Sequence, residues 1–210
     1  MIGAGALGCA LLPRLARLRI AALTIIDGDR VEAPGLERQP LYAEADIGHP
    51  KATTARGWLQ LVGPGIDVIA IDRFVDAGNA RALIEGHHIV ADCTDDLHAR
   101  QLIDRTCADL GVPLVTGALY PQQGLVVLLH APGAGSALRR TDLFPGKYSS
   151  DQDGGAMRPQ PEGAIEAVGI RMMGTIRSVL TDRPVVNGAI AVFDHGSGTW
   201  STIDPPENTR

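Results

Sequence analysis

Residues 3–8 read Gly-Ala-Gly-Ala-Leu-Gly, and this stretch decides the fold of the 210-residue chain. The apolar pair at residues 1–2 precedes it, and an apolar periodicity typical of a helix follows it. Glycines between a strand and a helix let backbone N–H groups and the helix N-terminus approach a phosphate. We therefore expect Gly3, Gly5 and Gly8 to form a phosphate-binding loop. A tight turn between a strand and a helix can produce the same pattern.

Short apolar runs alternate with helical stretches beyond this loop. We predict strands at 22–26, 67–71, 88–91 and 114–116, and helices from the loop to about 18 and at 51–61, 79–85 and 97–110. This alternation predicts a Rossmann-like α/β fold: a mostly parallel sheet with helices on both faces. A partly antiparallel C-terminal half would contain strands from 125, at 189–193 and at 199–203, and a helix near 165–180.

We expect one domain over residues 1–210, with three parts. These are a nucleotide-binding half at 1–130, an irregular loop at 131–163 and a C-terminal half at 164–210. The loop is rich in Gly, Pro, Ser, Arg and Asp, and a loop of that length is usually functional or disordered.

Composition restricts the class of protein. Hydrophobic residues make up 45% and charged residues 20%, which allows a sizeable core. The net charge of −5 argues against nucleic acid as a partner. No apolar run approaches the ~20 residues that span a bilayer, and the N-terminus lacks the basic region of a signal peptide. We expect a cytoplasmic protein with neither nucleic acid nor a membrane as a partner. The three cysteines show no paired spacing, so we predict reduced thiols rather than disulfides or zinc ligands.

Asp27 ends the strand at 22–26, close to the separation of ~20 residues expected between a glycine loop and a ribose-binding carboxylate. This pattern alone leaves NAD and ATP open. Arg38 and Lys51 follow it, and an enzyme acting on a triphosphate needs cations to offset charge that develops at the α-phosphate. Either cation alone would be assigned to the solvated surface, but the two together favour ATP.

Three carboxylates follow the predicted strand at 88–91, in the stretch Asp92-Cys-Thr-Asp-Asp. Ligands bind at the carboxyl ends of strands in open α/β sheets. A carboxylate there can hold Mg²⁺ that bridges phosphate oxygens. We assign Asp95 to the metal and Asp96 mainly to capping the next helix.

Taken together, these pieces resemble the ThiF/MoeB/HesA-type, E1-like adenylating enzymes. The shared pieces, in family order over residues 1 to about 130, are Gly3–Gly8, Ile26–Glu32, Leu36–Gln39, Gly48–Ala52, Asp92–Asp95 and Val115–Ala118. The resemblance implies ATP and Mg²⁺ binding and adenylation of the C-terminal carboxylate of a small ubiquitin-like sulfur carrier protein. It implies that Asp27 binds the ribose, that Arg38 and Lys51 contact phosphates, and that Asp95 holds Mg²⁺. It also implies a homodimer.

The sequence departs from the family in several places. Gly35 stands where relatives often carry Asn, and the two Cys-x-x-Cys pairs of a structural zinc site are missing, so no zinc is expected. No cysteine follows Cys107 that could form a thioester or persulfide. The resemblance also leads us to expect that the N-terminal helix and most of the first strand are lacking, either because the start is misassigned or because the chain is a shortened paralogue. These departures leave two alternatives: a degenerate, non-catalytic ATP-binding module that pairs with an active partner, and, ranked last, an NAD-dependent oxidoreductase.

Overall fold

The structure is a computed structural model that describes residues 1–18, 20–63, 65–134, 138–144 and 162–206. These residues form seven strands and six α-helices, which alternate from α1 to β4. The helices are α1 (Ala6–Leu15), α2 (Lys51–Val62), α3 (Ala80–Ile84), α4 (Leu97–Leu110), α5 (Arg140–Leu143) and α6 (Glu162–Leu180). The strands are β1 (Ala22–Ile26), β2 (Asp67–Ile71), β3 (Val90–Asp92), β4 (Leu114–Leu119), β5 (Gln123–Leu129), β6 (Ile190–Asp194) and β7 (Thr199–Ile203). Two short 3₁₀ helices, Ala33–Arg38 and Glu44–Asp46, lie between β1 and α2.

The strands form a mixed sheet whose two halves differ in direction. β1 pairs with β2 and β3 pairs with β4, both in parallel, while β4, β5, β6 and β7 follow one another in antiparallel order. The parallel pairs need helical crossovers, whereas β4 and β5 are joined by a tight turn. The predicted nucleotide-binding half, residues 1–130, thus contains both parallel pairs and the antiparallel β4–β5 hairpin.

Ile2 joins the two parallel pairs, because it bridges Ile26 of β1 and Asp92 of β3. Its N–H donates to the carbonyl of Ala91 at 2.8 Å, and its carbonyl accepts from the N–H of Cys93 at 2.8 Å. On the other side, the N–H of Gly3 donates to the carbonyl of Ile26 at 2.8 Å. The predicted strand fragment at residues 1–2 thus occupies the centre of the sheet, in the order β2-β1-Ile2-β3-β4-β5-β6-β7.

Helices cover both faces of the sheet, and each face has its own core. One core contains the apolar sides of α1, α2 and α6 packed on β1 and the middle of the sheet. The other contains residues of α3 and α4 packed on β3, β4, β5 and β6. Cys9 and Cys93 belong to the first core and Cys107 to the second. All three cysteines are free and buried, and burial raises the pKa of Cys107 to about 12.

The predicted α/β fold, with helices on both faces and an antiparallel C-terminal half, is confirmed. Element ends differ in places: α1 ends at Leu15, and β4 continues to Leu119 because it forms a hairpin with β5. The helix begins at Ala6, so Pro13 lies beyond the first turn, the part of an α-helix that tolerates proline most easily.

Residues 131–163 were expected to form an irregular loop. The structure places the short helix α5 inside this range, while 135–137 and 145–161 lie outside the described residues. An arginine pair in such a polar stretch usually lies in solvent, but Arg140 does not. Arg140 is 6% exposed, its backbone N–H donates to Asp104 at 3.2 Å, and its guanidinium lies over the ring of Phe144. Among the described residues, no helix is long and apolar enough to cross a membrane.

Candidate functional site

A cavity of about 720 Å³ lies over the carboxyl ends of β1, the Ile2 segment and β3. The predicted site residues that line it are Gly3, Gly5, Asp27, Arg38, Lys51 and Asp95. Open α/β sheets bind ligands at this edge, where the crossovers diverge to either side. The fold therefore brings together residues that are scattered along the sequence, while the role of each remains a prediction.

The first two glycines of the loop lie on the cavity for different reasons. Gly3 has φ +90°, and a Cβ there would lie 2.8 Å from the backbone carbon and oxygen of Cys93. Only glycine fits this position without strain. Gly5 has an ordinary φ of −76° and a Cβ there would meet no atom within 4 Å. Its missing side chain leaves open the space in front of the N-terminus of α1.

Gly8 is buried and does not line the cavity. A Cβ on this residue would lie 2.3 Å from the carbonyl oxygen of Gly3. Its absence of a side chain lets the first turn of α1 pack directly on the loop. The structure thus places Gly8 outside the cavity lining, unlike Gly3 and Gly5, and its predicted part in phosphate binding stays a prediction.

Asp27 follows β1, and its carboxylate is held by two backbone N–H groups. Oδ2 accepts from Ala4 at 2.6 Å and Oδ1 accepts from Asp29 at 2.7 Å. Burial raises the pKa of Asp27 above its ordinary value, against the opposing effects of these hydrogen bonds and of the nearby Lys51 charge. A carboxylate oxygen can accept more than one hydrogen bond. Asp27 therefore anchors the glycine loop and can still accept from hydroxyl groups of a ligand.

Lys51 is the first residue of α2, and its side chain is only 12% exposed. Its Nζ lies 3.1 Å from Oδ2 of Asp29, whose carboxylate is 55% exposed. The backbone N–H of Lys51 donates to the carbonyl of Asp29 at 2.9 Å. Sequence reasoning missed Asp29 as part of the site. The signal was its position two residues after Asp27, beyond the same strand end, where ligands bind in open α/β sheets.

Arg38 ends the 3₁₀ helix Ala33–Arg38 and is half-buried at the cavity wall. Gly35 and Gln39 line the same wall. A Cβ on Gly35 would lie 3.1 Å from the side-chain nitrogen Nε2 of Gln39. The side chain of Gln39 thus packs closely on Gly35.

The three carboxylates after β3 have three different environments. Asp92 is buried and accepts from Thr94 and from Thr116, so it holds the strand end in place. Asp96 accepts from the N–H of Ala99 at 2.7 Å, which confirms it as the N-cap of α4. Asp95 is exposed at the cavity, which Asp96 also lines, and unlike Asp96 it is not the N-cap of α4.

Arg100 was not predicted and lies under the cavity at 3% exposure. Its Nε donates to the carbonyl of Thr94 at 2.9 Å and its Nη2 to the carbonyl of Gly117 at 3.3 Å. These bonds fasten the loop that carries Asp95 to β4. One nitrogen of the guanidinium, Nη1, is buried without a hydrogen-bond partner among the described residues. The sequence carried no signal for this, because a helical arginine is usually a surface residue.

Tyr42 was also missed. Its hydroxyl donates to the carbonyl of Ala4 at 2.7 Å and lies 3.4 Å from the carbonyl of Lys51. Burial raises the pKa of Tyr42, which therefore stays a neutral donor. It links the glycine loop to the start of α2. A third missed group is the loop after β2, where Arg73, Phe74 and Val75 line the cavity.

Comparison with known proteins identifies the family. The ThiF family matches residues 1–209. The chain belongs to the ThiF family. Molybdopterin-synthase adenylyltransferase of Escherichia coli is 30% identical over 196 residues, a match that covers 92% of this chain and 77% of the relative. The SAMP-activating enzyme E1 of Haloferax volcanii is 32% identical over 133 residues, covering 63% of this chain and 49% of the relative. The adenylyltransferase and sulfurtransferase UBA4 of Saccharomyces cerevisiae is 30% identical over 162 residues, covering 76% and 37%.

Solved structures share the fold of this ThiF-family chain. The crystal structure of E. coli MccB with ATP has a TM-score of 0.80 at 15% identity and covers 99% of this chain and 63% of MccB. The crystal structure of PaaA has a TM-score of 0.77 at 20% identity, covering 97% and 62%. The chain thus spans less than two thirds of these structures and between about a third and three quarters of the relatives above. The family assignment favours an adenylating enzyme over the NAD-dependent oxidoreductase.

Proposed function

We propose that this chain catalyses the ATP-dependent adenylation of the C-terminal carboxylate of a small ubiquitin-like sulfur carrier protein. The observation that carries this proposal is the single cavity in which a glycine loop, a buried carboxylate and two cations meet beside an exposed carboxylate. The names of the relatives support the same activity, since they include molybdopterin-synthase adenylyltransferase and a SAMP-activating E1.

The nucleotide would lie across the edge of the sheet with its phosphates at the glycine loop. There, the backbone of residues 3–5 and the N-terminus of α1 favour anionic groups. Asp27 at the end of β1 would accept hydrogen bonds from the ribose hydroxyls. Arg38 and Lys51 would contact the phosphates. Lys51 already forms an ion pair with Asp29, so bound phosphates would interact with a lysine that also contacts a carboxylate.

In the reaction, a carboxylate oxygen of the carrier attacks the α-phosphorus of ATP. A new O–P bond forms, the bond from the α-phosphorus to the bridging oxygen breaks, and pyrophosphate leaves with the electron pair. No protein nucleophile is required at this step. Arg38 and Lys51 would lower the barrier by neutralising charge on the phosphates and by aligning the two reactants.

Asp95 fits a magnesium ion that arrives with the nucleotide. Mg²⁺ prefers oxygen ligands and commonly binds through one or two carboxylates together with substrate phosphates and water. Asp95 is exposed at the cavity, and the described residues contain no group of three or more His, Cys, Asp or Glu that could hold a metal on its own. When bound, the ion would offset negative charge on the phosphates. The burial of all three cysteines in the two cores supports a protein without zinc.

The same proposal includes a cytoplasmic location and a homodimer. It also keeps one domain over residues 1–210, with 1–130 as the nucleotide-binding half. Size-exclusion chromatography with light scattering would test the dimer, since a monomer at micromolar concentration would contradict it.

ATP–pyrophosphate exchange with candidate carriers that end in Gly-Gly tests the activity. We expect exchange that depends on the carrier and falls about 10²–10³-fold in Lys51→Ala and in Asp95→Asn, the size typical for losing one electrostatic group. Arg81→Ala is the matched control, because Arg81 is an exposed cation on α3 that pairs with Glu85 outside the cavity. Tight ATP binding without exchange for any carrier would refute the activity and support the non-catalytic module.

A further inference from the structure

Phe74 is a large apolar residue left open to solvent at the rim of the cavity. It is 65% exposed and lies three residues after the end of β2. Isolated exposed hydrophobic residues are common on protein surfaces. Phe74 differs from them because it lines the same cavity as Asp27 and the glycine loop.

The loop that carries Phe74 is anchored on both sides of the ring. Before it, Asp72 accepts from the N–H of Thr53 at 3.1 Å and from its hydroxyl at 2.7 Å, which ties the loop to α2. At Phe74, the side-chain amide of Asn79 donates to the backbone carbonyl at 2.9 Å. Asn79 is held in turn by Asp76, whose N–H donates to the Asn79 side chain at 2.9 Å. An exposed aromatic on an anchored loop keeps its position without a ligand, so little ordering entropy is lost when one binds.

Gly28 makes room for this arrangement. A Cβ on Gly28 would lie 2.5 Å from the ring of Phe74 and 2.6 Å from its backbone nitrogen. The ring therefore packs directly on the backbone that follows Asp27, where a side chain on residue 28 would have displaced it.

The strand order then decides what part of a nucleotide reaches Phe74. The glycine loop follows Ile2 in the middle of the sheet, Asp27 follows its neighbour β1, and Phe74 follows β2, the next strand outward. Phosphates at the glycine loop and a ribose at Asp27 place the base, which is attached to the far side of the ribose, over the end of β2.

We propose that Phe74 is the stacking platform for the purine base of the nucleotide. The inference rests on the proposed function only in that the cavity takes ATP. Aromatic rings stack well on flat bases and gain ≈1–3 kcal/mol per base by alanine substitution in nucleic-acid complexes. The fixed position of Phe74 makes it the residue that recognises the base, separately from the groups that bind phosphate and ribose.

Calorimetric titration of the full chain with ATP tests the platform, with inorganic triphosphate as a competitor that has no base. Phe74→Ala should weaken ATP binding by about 5- to 150-fold, which is the stacking contribution expressed as a ratio of dissociation constants. Phe74→Tyr retains a ring and should bind ATP within about twofold of the parent. Inorganic triphosphate should compete equally well in all three proteins. Leu61→Ala is the matched control, since Leu61 is 84% exposed on α2 and does not line the cavity.

Two results would overturn the platform. One is ATP affinity in Phe74→Ala equal to that of the parent chain. The other is an equal loss of affinity for ATP and for inorganic triphosphate, which would show a general effect on the cavity. A parent chain that binds no ATP would refute both this inference and the proposed function. Loss of ATP affinity in Phe74→Ala together with no carrier-dependent exchange would refute adenylation and leave the platform intact.

Discussion

The glycines at positions 3 and 5 should respond in opposite ways to the same substitution. In Gly3→Ala, the backbone of the new alanine must keep φ +90°, a conformation that costs an L-residue about 1–3 kcal/mol. Its Cβ would also lie 2.8 Å from backbone atoms of Cys93, and relieving such an overlap costs about 1–3 kcal/mol more. The sum, about 2–6 kcal/mol, is a large part of the ~5–15 kcal/mol by which a domain is usually stable.

Gly5→Ala adds the same methyl group without these costs. Gly5 has φ −76°, and the space around its missing Cβ is open to 4 Å. Alanine differs little from glycine in backbone strain there, so we expect a change in unfolding free energy within ~1 kcal/mol. The methyl group would instead enter the space proposed for the phosphates and lower ATP affinity at least about tenfold.

Urea unfolding followed by circular dichroism measures the first effect, and calorimetric titration with ATP measures the second. The linear dependence of unfolding free energy on urea allows the two variants to be compared at the same slope. Equal stability losses in Gly3→Ala and Gly5→Ala would refute the distinction between a glycine required by the fold and one required by a ligand. Unchanged ATP affinity in Gly5→Ala would refute the position assigned to the phosphates.

Three further predictions concern the residues around the cavity. Asp96→Ala should lower the unfolding free energy by about 0.5–2 kcal/mol through loss of the N-cap of α4. Asp95→Ala should change the unfolding free energy, also measured by urea titration, by less than ~0.5 kcal/mol. Equal losses in the two variants would contradict the separate roles of Asp95 and Asp96. Tyr42→Phe should cost about 1 kcal/mol, measured in the same way, because a buried carbonyl of the glycine loop loses its donor, and full stability would contradict that link. Carbon-13 NMR of the side-chain carboxyl should show Asp27 titrating above its ordinary pKa in the parent chain and higher still in Lys51→Met, since the lysine charge opposes the effect of burial. Protonation of Asp27 should therefore weaken ATP binding as the pH falls, and an unshifted titration would contradict this.

The sequence predicted the fold and the cavity residues that carry strong local patterns. Alternating apolar runs located the strands, and the glycine loop, Asp27 and Asp95 each follow a strand end, where a parallel sheet gathers them. Arg38 and Lys51 were found through the chemistry of a triphosphate and through family resemblance. These residues lie at one cavity because of the paths that the chain takes between the parallel strands. Composition and periodicity alone do not describe those paths.

The residues that were missed depend on contacts distant in sequence. Tyr42 bonds to a carbonyl 38 positions away, and Arg100 bonds to a carbonyl of β4. Phe74 lies in a loop whose sequence shows no ligand pattern. Arg140 illustrates the opposite error, because an arginine pair in a Gly- and Pro-rich stretch favours solvent, and only packing against Phe144 and Asp104 buries it.

Ile2 forms a narrow seam in the middle of the sheet, with β1 and β2 on one side and the five remaining strands on the other. Asp27 stands on the first side and Asp95 on the second, so a ligand bonded to both would bridge the seam. Such a ligand would act as a clamp, since separating the two sides would then require releasing it. Slower hydrogen–deuterium exchange at the backbone amides of Ile2, Gly3 and Cys93 would report that clamping directly. In this arrangement, a ligand in the cavity would stabilise the pairing of the two sides of the sheet, and separation of the two sides would release the ligand.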